Sequence, residues 1–120
     1  MFRALTARVK GRWKFVSFRG TGGAEWRGVV DILAVRKCTA RATRPDLKSG
    51  DLFDLVLVQL KGGGAPMPTA ADVKRLQAVA DHYHALRVIL YSWKLGSHSR
   101  YYELDADGQW KDVTAASAFR

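Results

Sequence analysis

A single cysteine, Cys38, stands in 120 residues. An internal disulfide is therefore impossible, and a cysteine-rich zinc site is excluded with it. A lone thiol suits a reducing compartment, so a cytoplasmic protein is expected. No apolar run approaches the roughly 20 residues that a helix needs to span a bilayer, and no membrane association is expected. The segment Met1 to Lys10 lacks the apolar core of a secretory signal. No long basic amphipathic helix is visible, which weakens the case for an acidic membrane surface as partner. Internal repeats and low-complexity tracts are absent too. At this length and with 48% hydrophobic residues, one compact domain over residues 1–120 is expected.

Acidic residues are scarce in one half only. Residues 1–50 hold twelve Lys or Arg against three Asp or Glu, whereas residues 51–120 hold eight of each. The whole net charge of +9 therefore lies in the first half. Such asymmetry points to a polyanion-binding face, with nucleic acid, DNA first, as the partner. A plain solvated basic surface is the alternative.

Two apolar runs dominate what is present. One extends from Gly28 to Val35 and is interrupted only by Asp31. The other extends from Asp51 to Lys61, with Gln59 and Lys61 as polar intruders near its end. Residues i and i+2 of a strand share a face. Gln59 and Lys61 therefore point the same way as Leu55 and Leu57, while Val56, Val58 and Leu60 take the opposite side. Both faces are apolar, which predicts a strand inside a sheet rather than at its rim. Asp54 shares the parity of Val56, so it should face away from Gln59.

The remaining elements follow in chain order. Phe2, Leu5 and Val9 have helical spacing. Residues 13–18 have strand composition, and 19–23 read as a hairpin turn. Strands are predicted over about 28–36 and 52–61. Between them lies a basic loop with turn signals at Pro45-Asp46 and Ser49-Gly50. Gly62 to Pro68 reads as a loop. Thr69 should cap a helix, with Asp72 completing a capping box. Val73, Leu76, Ala80 and Tyr83 form its apolar stripe. Strands over 87–93 and 100–104 follow, then a turn at 105–108 before Trp110. The predicted order is α-β-β-β-α-β-β.

A three-strand meander with Asp31 on the second strand and Gln59-x-Lys61 on the third, then a helix and a strand, resembles the PD-(D/E)xK nuclease superfamily. The variant it resembles carries QxK in the third strand, as in Mrr-type enzymes. The resemblance covers roughly residues 12–94 and rests on three residues plus element order. It implies an α/β (α+β) domain with a restriction-endonuclease-like αβββαβ core: a mixed central sheet flanked by helices, here with an extra C-terminal strand or hairpin. It also implies a metal-dependent endonuclease that hydrolyses phosphodiester bonds in nucleic acid, DNA first, with Mg²⁺ or Mn²⁺ as cofactor.

Under that resemblance Asp31, Gln59 and the backbone carbonyl of Leu60 would ligate the cation. Lys61 would orient or deprotonate the attacking water and offset charge in the transition state. Asp31, Gln59 and Lys61 are thus the candidate catalytic residues. Arg19, Arg27, Lys37, Arg41, Arg44 and Lys48 are the candidate nucleic-acid contacts. The sequence departs from the pattern in three ways. Val30 stands where the proline would be, Gln59 is neutral, and the N-terminal segment carries no acid. Glu25 would complete the site from the hairpin, or be a solvated turn residue. Pro45-Asp46 is an alternative "PD", set aside because it lies in a turn-rich loop.

Each residue also has a structural reading. Asp31 would pair with Lys61, Gln59 would be a satisfied core amide, and Lys61 would reach solvent. His82 and His84 diverge near a helix end and make a poor metal pair. The resemblance further implies a homodimer, for which Val88, Leu90 and Trp93 on an edge strand are the interface candidates. An inactive nucleic-acid-binding module on the same fold, or a protein-interaction domain, are the competing functions.

Overall fold

The computed structural model describes residues 12–18, 28–40, 44–93 and 99–120. Six strands are β1 (Lys14–Ser17), β2 (Ile32–Lys37), β3 (Phe53–Gly62), β4 (Arg87–Trp93), β5 (Arg100–Leu104) and β6 (Trp110–Val113). Among the described residues the helices are α1 (Ala70–Tyr83) and α2 (Ala115–Ala118). The strands form one sheet in the order β1-β2-β3-β4-β5-β6. All neighbours are antiparallel except β3 and β4, which are parallel. A parallel pair needs a crossover connection, and α1 provides it. The fold is α+β with a mixed sheet. The helix expected over residues 2–10 and the hairpin turn at 19–23 lie outside the described residues.

The sheet has a core on each face. Val56 and Val58 of β3 pack with Ile32, Ile89, Tyr91 and Tyr101 on one side. Leu57 packs with Val29, Leu76 and Val88 on the other, under α1. This is the alternation read from the run, and β3 is interior as expected. Full burial of Leu76 contributes about 1.5–3 kcal/mol. Tyr83, at the end of the same stripe, is instead 57% exposed. Thr69 and Asp72 form the predicted capping box.

The face opposite α1 is closed by α2 and Phe119. Trp13 Nε1 donates to the Phe119 carbonyl at 2.7 Å. Phe15, Trp13 and Tyr101 meet the Phe119 ring edge to face. Arg87 donates to the carbonyls of Ala118 and Arg120. Burial, and next the charge of Arg120, lower the Arg87 guanidinium pKa from its ordinary value.

Two expectations are corrected. β2 begins at Ile32, not near residue 28. Gly28 has φ +135, outside the strand region, and Val29 and Val30 join the α1-side core instead of the ladder. β4 is not an edge strand: it lies between β3 and β5, and Val88 and Leu90 are buried. They are unavailable for a homodimer interface. No helix among the described residues is long and apolar enough to cross a membrane.

Candidate metal centre at the end of the central strand

Asp31 stands one residue before β2 rather than in its middle. Its N–H donates to the Val58 carbonyl at 3.0 Å, and its own carbonyl accepts from Phe18 N–H at 2.9 Å. Strand register pairs Ile32 with the same Val58. Two consecutive residues thus address one partner, as in a bulge, and a bulge re-aims a side chain.

The Asp31 carboxylate reaches the flank of β3, where Oδ2 accepts the Leu60 N–H at 2.8 Å. The regular β2–β3 pairing ends at Val58, and the carboxylate takes the place of the missing strand carbonyl. Within a strand, the N–H and C=O of one residue point to the same side. The Leu60 carbonyl therefore opens toward the side from which Asp31 approaches. The partner that β3 gives Asp31 is this backbone N–H, not the Lys61 ammonium.

Gln59 precedes Leu60 and shares the face of Leu57, under α1. Its Oε1 is shut off from solvent and accepts no hydrogen bond. A buried acceptor left unpaired costs about 1–3 kcal/mol. Lys61 is partly buried on the same face, opposite Ser92 in register. Gln59 and Lys61 lie at the carboxyl end of the parallel β3–β4 pair, where open α/β sheets commonly place ligands.

Among the described residues no group of three His, Cys, Asp or Glu is gathered. The donors that the sequence expectation would use here are one carboxylate, one amide oxygen and one main-chain carbonyl. An all-oxygen set suits a hard cation such as Mg²⁺ or Mn²⁺. The neutral amide leaves a single negative charge to hold it.

The described candidate nucleic-acid contacts, Lys37, Arg44 and Lys48, lie apart from this site. Lys37 ends β2 opposite Phe53. Phe53 and Gln59 are six residues apart on β3, about 20 Å at roughly 3.3 Å per residue. Arg44 is held by Asp46 through two hydrogen bonds of 3.1 and 3.0 Å. That pairing engages Asp46 in an exposed turn, far from Gln59 along the hairpin, and removes Pro45-Asp46 as a rival motif. Lys48 is exposed, and its N–H donates to Asp51 Oδ2 at 2.7 Å. Arg19, Arg27, Arg41 and Glu25 lie outside the described residues. Asp54 pairs with Arg36 at 3.0 Å on the Trp13 side, away from Gln59. His82 and His84 are exposed, and His84 is the left-handed cap of α1.

Sequence reasoning passed over Arg12, Lys14 and Phe53. With Lys37 they line a hollow of about 520 Å³ beside β1 and β2. The signal was readable as a basic residue every second position before Phe15, and as an aromatic residue opening β3. Comparison with family models, with curated proteins and with solved structures found no match.

Proposed function

We propose that this chain is a metal-dependent endonuclease that hydrolyses phosphodiester bonds in DNA. The observation that supports the reading is Gln59 Oε1, buried without a hydrogen-bond partner among the described residues, on the residue before Leu60, whose N–H donates to Asp31. A cation would give that oxygen the partner it lacks. Asp31 would supply the anionic ligand, and the Leu60 carbonyl a third oxygen. Mg²⁺ or Mn²⁺, when bound, would polarise the phosphate and acidify a water.

The chain's own groups do the rest. Asp31 is positioned by its Leu60 hydrogen bond, so it needs little reorganisation to bind. Lys61, two residues beyond Gln59 on the same face, directs its ammonium at the phosphate oxygens or the attacking water. In a partly buried site, such a charge stabilises the developing negative charge more than it would in bulk water. The test is nicking of supercoiled plasmid with Mg²⁺ or Mn²⁺. The proposal expects nicking by the wild type and its loss in Asp31→Asn and Lys61→Ala. Undiminished nicking in both variants would remove the mechanism.

A second reading has its own observation. Asp31 Oδ2 is already engaged by the Leu60 N–H, and Gln59 is uncharged. Both reduce the pull on a cation and favour an inactive nucleic-acid-binding module on the same fold. That reading expects salt-dependent DNA binding with no cleavage at any Mn²⁺ concentration.

A further inference from the structure

Phe53 is 61% exposed, the most exposed large apolar side chain among the described residues. It begins β3 directly opposite Lys37. Lys14 is paired with Val35, two residues before Lys37 and on the same face. The Cα atoms of Lys14 and Lys37 are thus diagonal neighbours, about 7–8 Å apart. Arg12, Thr39, Ser49 and Gly50 also line the hollow.

Charge pairing separates this hollow from the rest of the surface. Arg44, Arg100 and Arg120 are each held by a carboxylate. Arg12, Lys14 and Lys37 have no ion pair among the described residues, and no described carboxylate lines the hollow. Arg36, the fourth cation there, is neutralised by Asp54. Three free cations therefore surround one exposed aromatic ring.

We propose that this hollow binds single-stranded nucleic acid, with one base stacked on Phe53 and phosphates held by Arg12, Lys14 and Lys37. A free strand offers the π-face of every base to an aromatic residue, and cations along the groove track its backbone. A duplex keeps its bases stacked inside and would give Phe53 nothing to stack on. The inference rests on the nucleic-acid part of the proposed function, but it uses no residue of the cation site. If both hold, the enzyme grips a single-stranded tail about 20 Å from the bond it cuts, measured along β3 at roughly 3.3 Å per residue.

The test is fluorescence anisotropy of the full chain in EDTA. The probes are a labelled oligothymidylate of about 16 nucleotides, near the upper site size of a single-strand-binding fold, and a blunt duplex of equal length. The chain should bind the oligothymidylate more tightly than the duplex. Phe53→Leu keeps apolar bulk but removes the ring, and should weaken oligothymidylate binding about tenfold with the salt slope unchanged. Phe53→Trp should bind at least as well as wild type. Lys14→Ala with Lys37→Ala should weaken binding and flatten the salt slope by about 1.4. Wild-type affinity in Phe53→Leu would overturn the inference, as would an equal loss of duplex binding in that variant. EDTA removes any contribution of the cation, so failure here leaves the nicking test standing, and the reverse.

Discussion

At the carboxyl end of β3 the polar atoms are folded into the sheet. At its amino end, about 20 Å away along the strand by the same rise per residue, the cations stand in solvent. Gln59 Oε1 is buried without a partner, and Asp31 replaces a backbone acceptor for Leu60. Lys37, Lys14 and Arg12 are exposed and unpaired among the described residues. Gln59 and Lys61 share a face of β3 with Phe53 and are separated from it by Leu55 and Leu57. Arg12, Lys14 and Lys37, which line the hollow, thus stand at the other end of β3 from the candidate cation site. If both proposals hold, binding and cutting would be carried by different residues and could be lost separately.

The largest separation should come from substitutions at the carboxyl end. Asp31→Asn keeps an acceptor for the Leu60 N–H but removes the charge. Plasmid nicking with Mn²⁺ should fall at least about a hundredfold, while oligothymidylate binding in EDTA stays at the wild-type level. Lys61→Ala should behave in the same way. If either variant loses strand binding to the same degree as nicking, the two ends are one site and the comparison fails.

The next effect is on stability. Asp31→Ala leaves the Leu60 N–H without its acceptor and should cost about 1–3 kcal/mol in urea denaturation. Asp31→Asn should cost clearly less. Equal losses in the two variants would mean that the hydrogen bond is not what Asp31 contributes to the fold. The smallest effect is expected in the loop. Arg44 is already engaged by Asp46 at the surface, and an exposed pair contributes only about 0–1 kcal/mol. Arg44→Ala should therefore change strand binding by less than about twofold, an upper limit set by that weak pairing. A loss as large as that of the Lys14→Ala, Lys37→Ala pair would move the binding surface into the loop.

Much of this was legible from residue order. β3 announces itself because both its faces are apolar, and Thr69 with Asp72 marks the start of α1. The start of β2 was misread because Val29 and Val30 are apolar without being in the ladder. Val29 is buried in the α1-side core with Val30 partly buried against it, and Gly28, at φ +135, keeps the chain out of strand geometry. Apolar character records burial, not pairing. The interior place of β4 depends on β5 and β6 folding back beside it, a non-local fact that the run Val88 to Leu90 does not contain. The four-residue α2, capped by Thr114, is too short to show periodicity. The residue types at the candidate site were readable. That Asp31 turns to the flank of β3 was not, because it follows from a ladder irregularity at Val58.

The central claim is that Asp31, Gln59 and the Leu60 carbonyl hold one divalent cation. Electron paramagnetic resonance of a Mn²⁺ titration tests it without any substrate. The account predicts one Mn²⁺ bound per wild-type chain, with affinity reduced at least about tenfold in Asp31→Asn and in Gln59→Met, each of which removes one ligand of a hard cation. Wild-type protein that binds no Mn²⁺ at millimolar concentration, or variants that bind it as wild type does, would contradict the account.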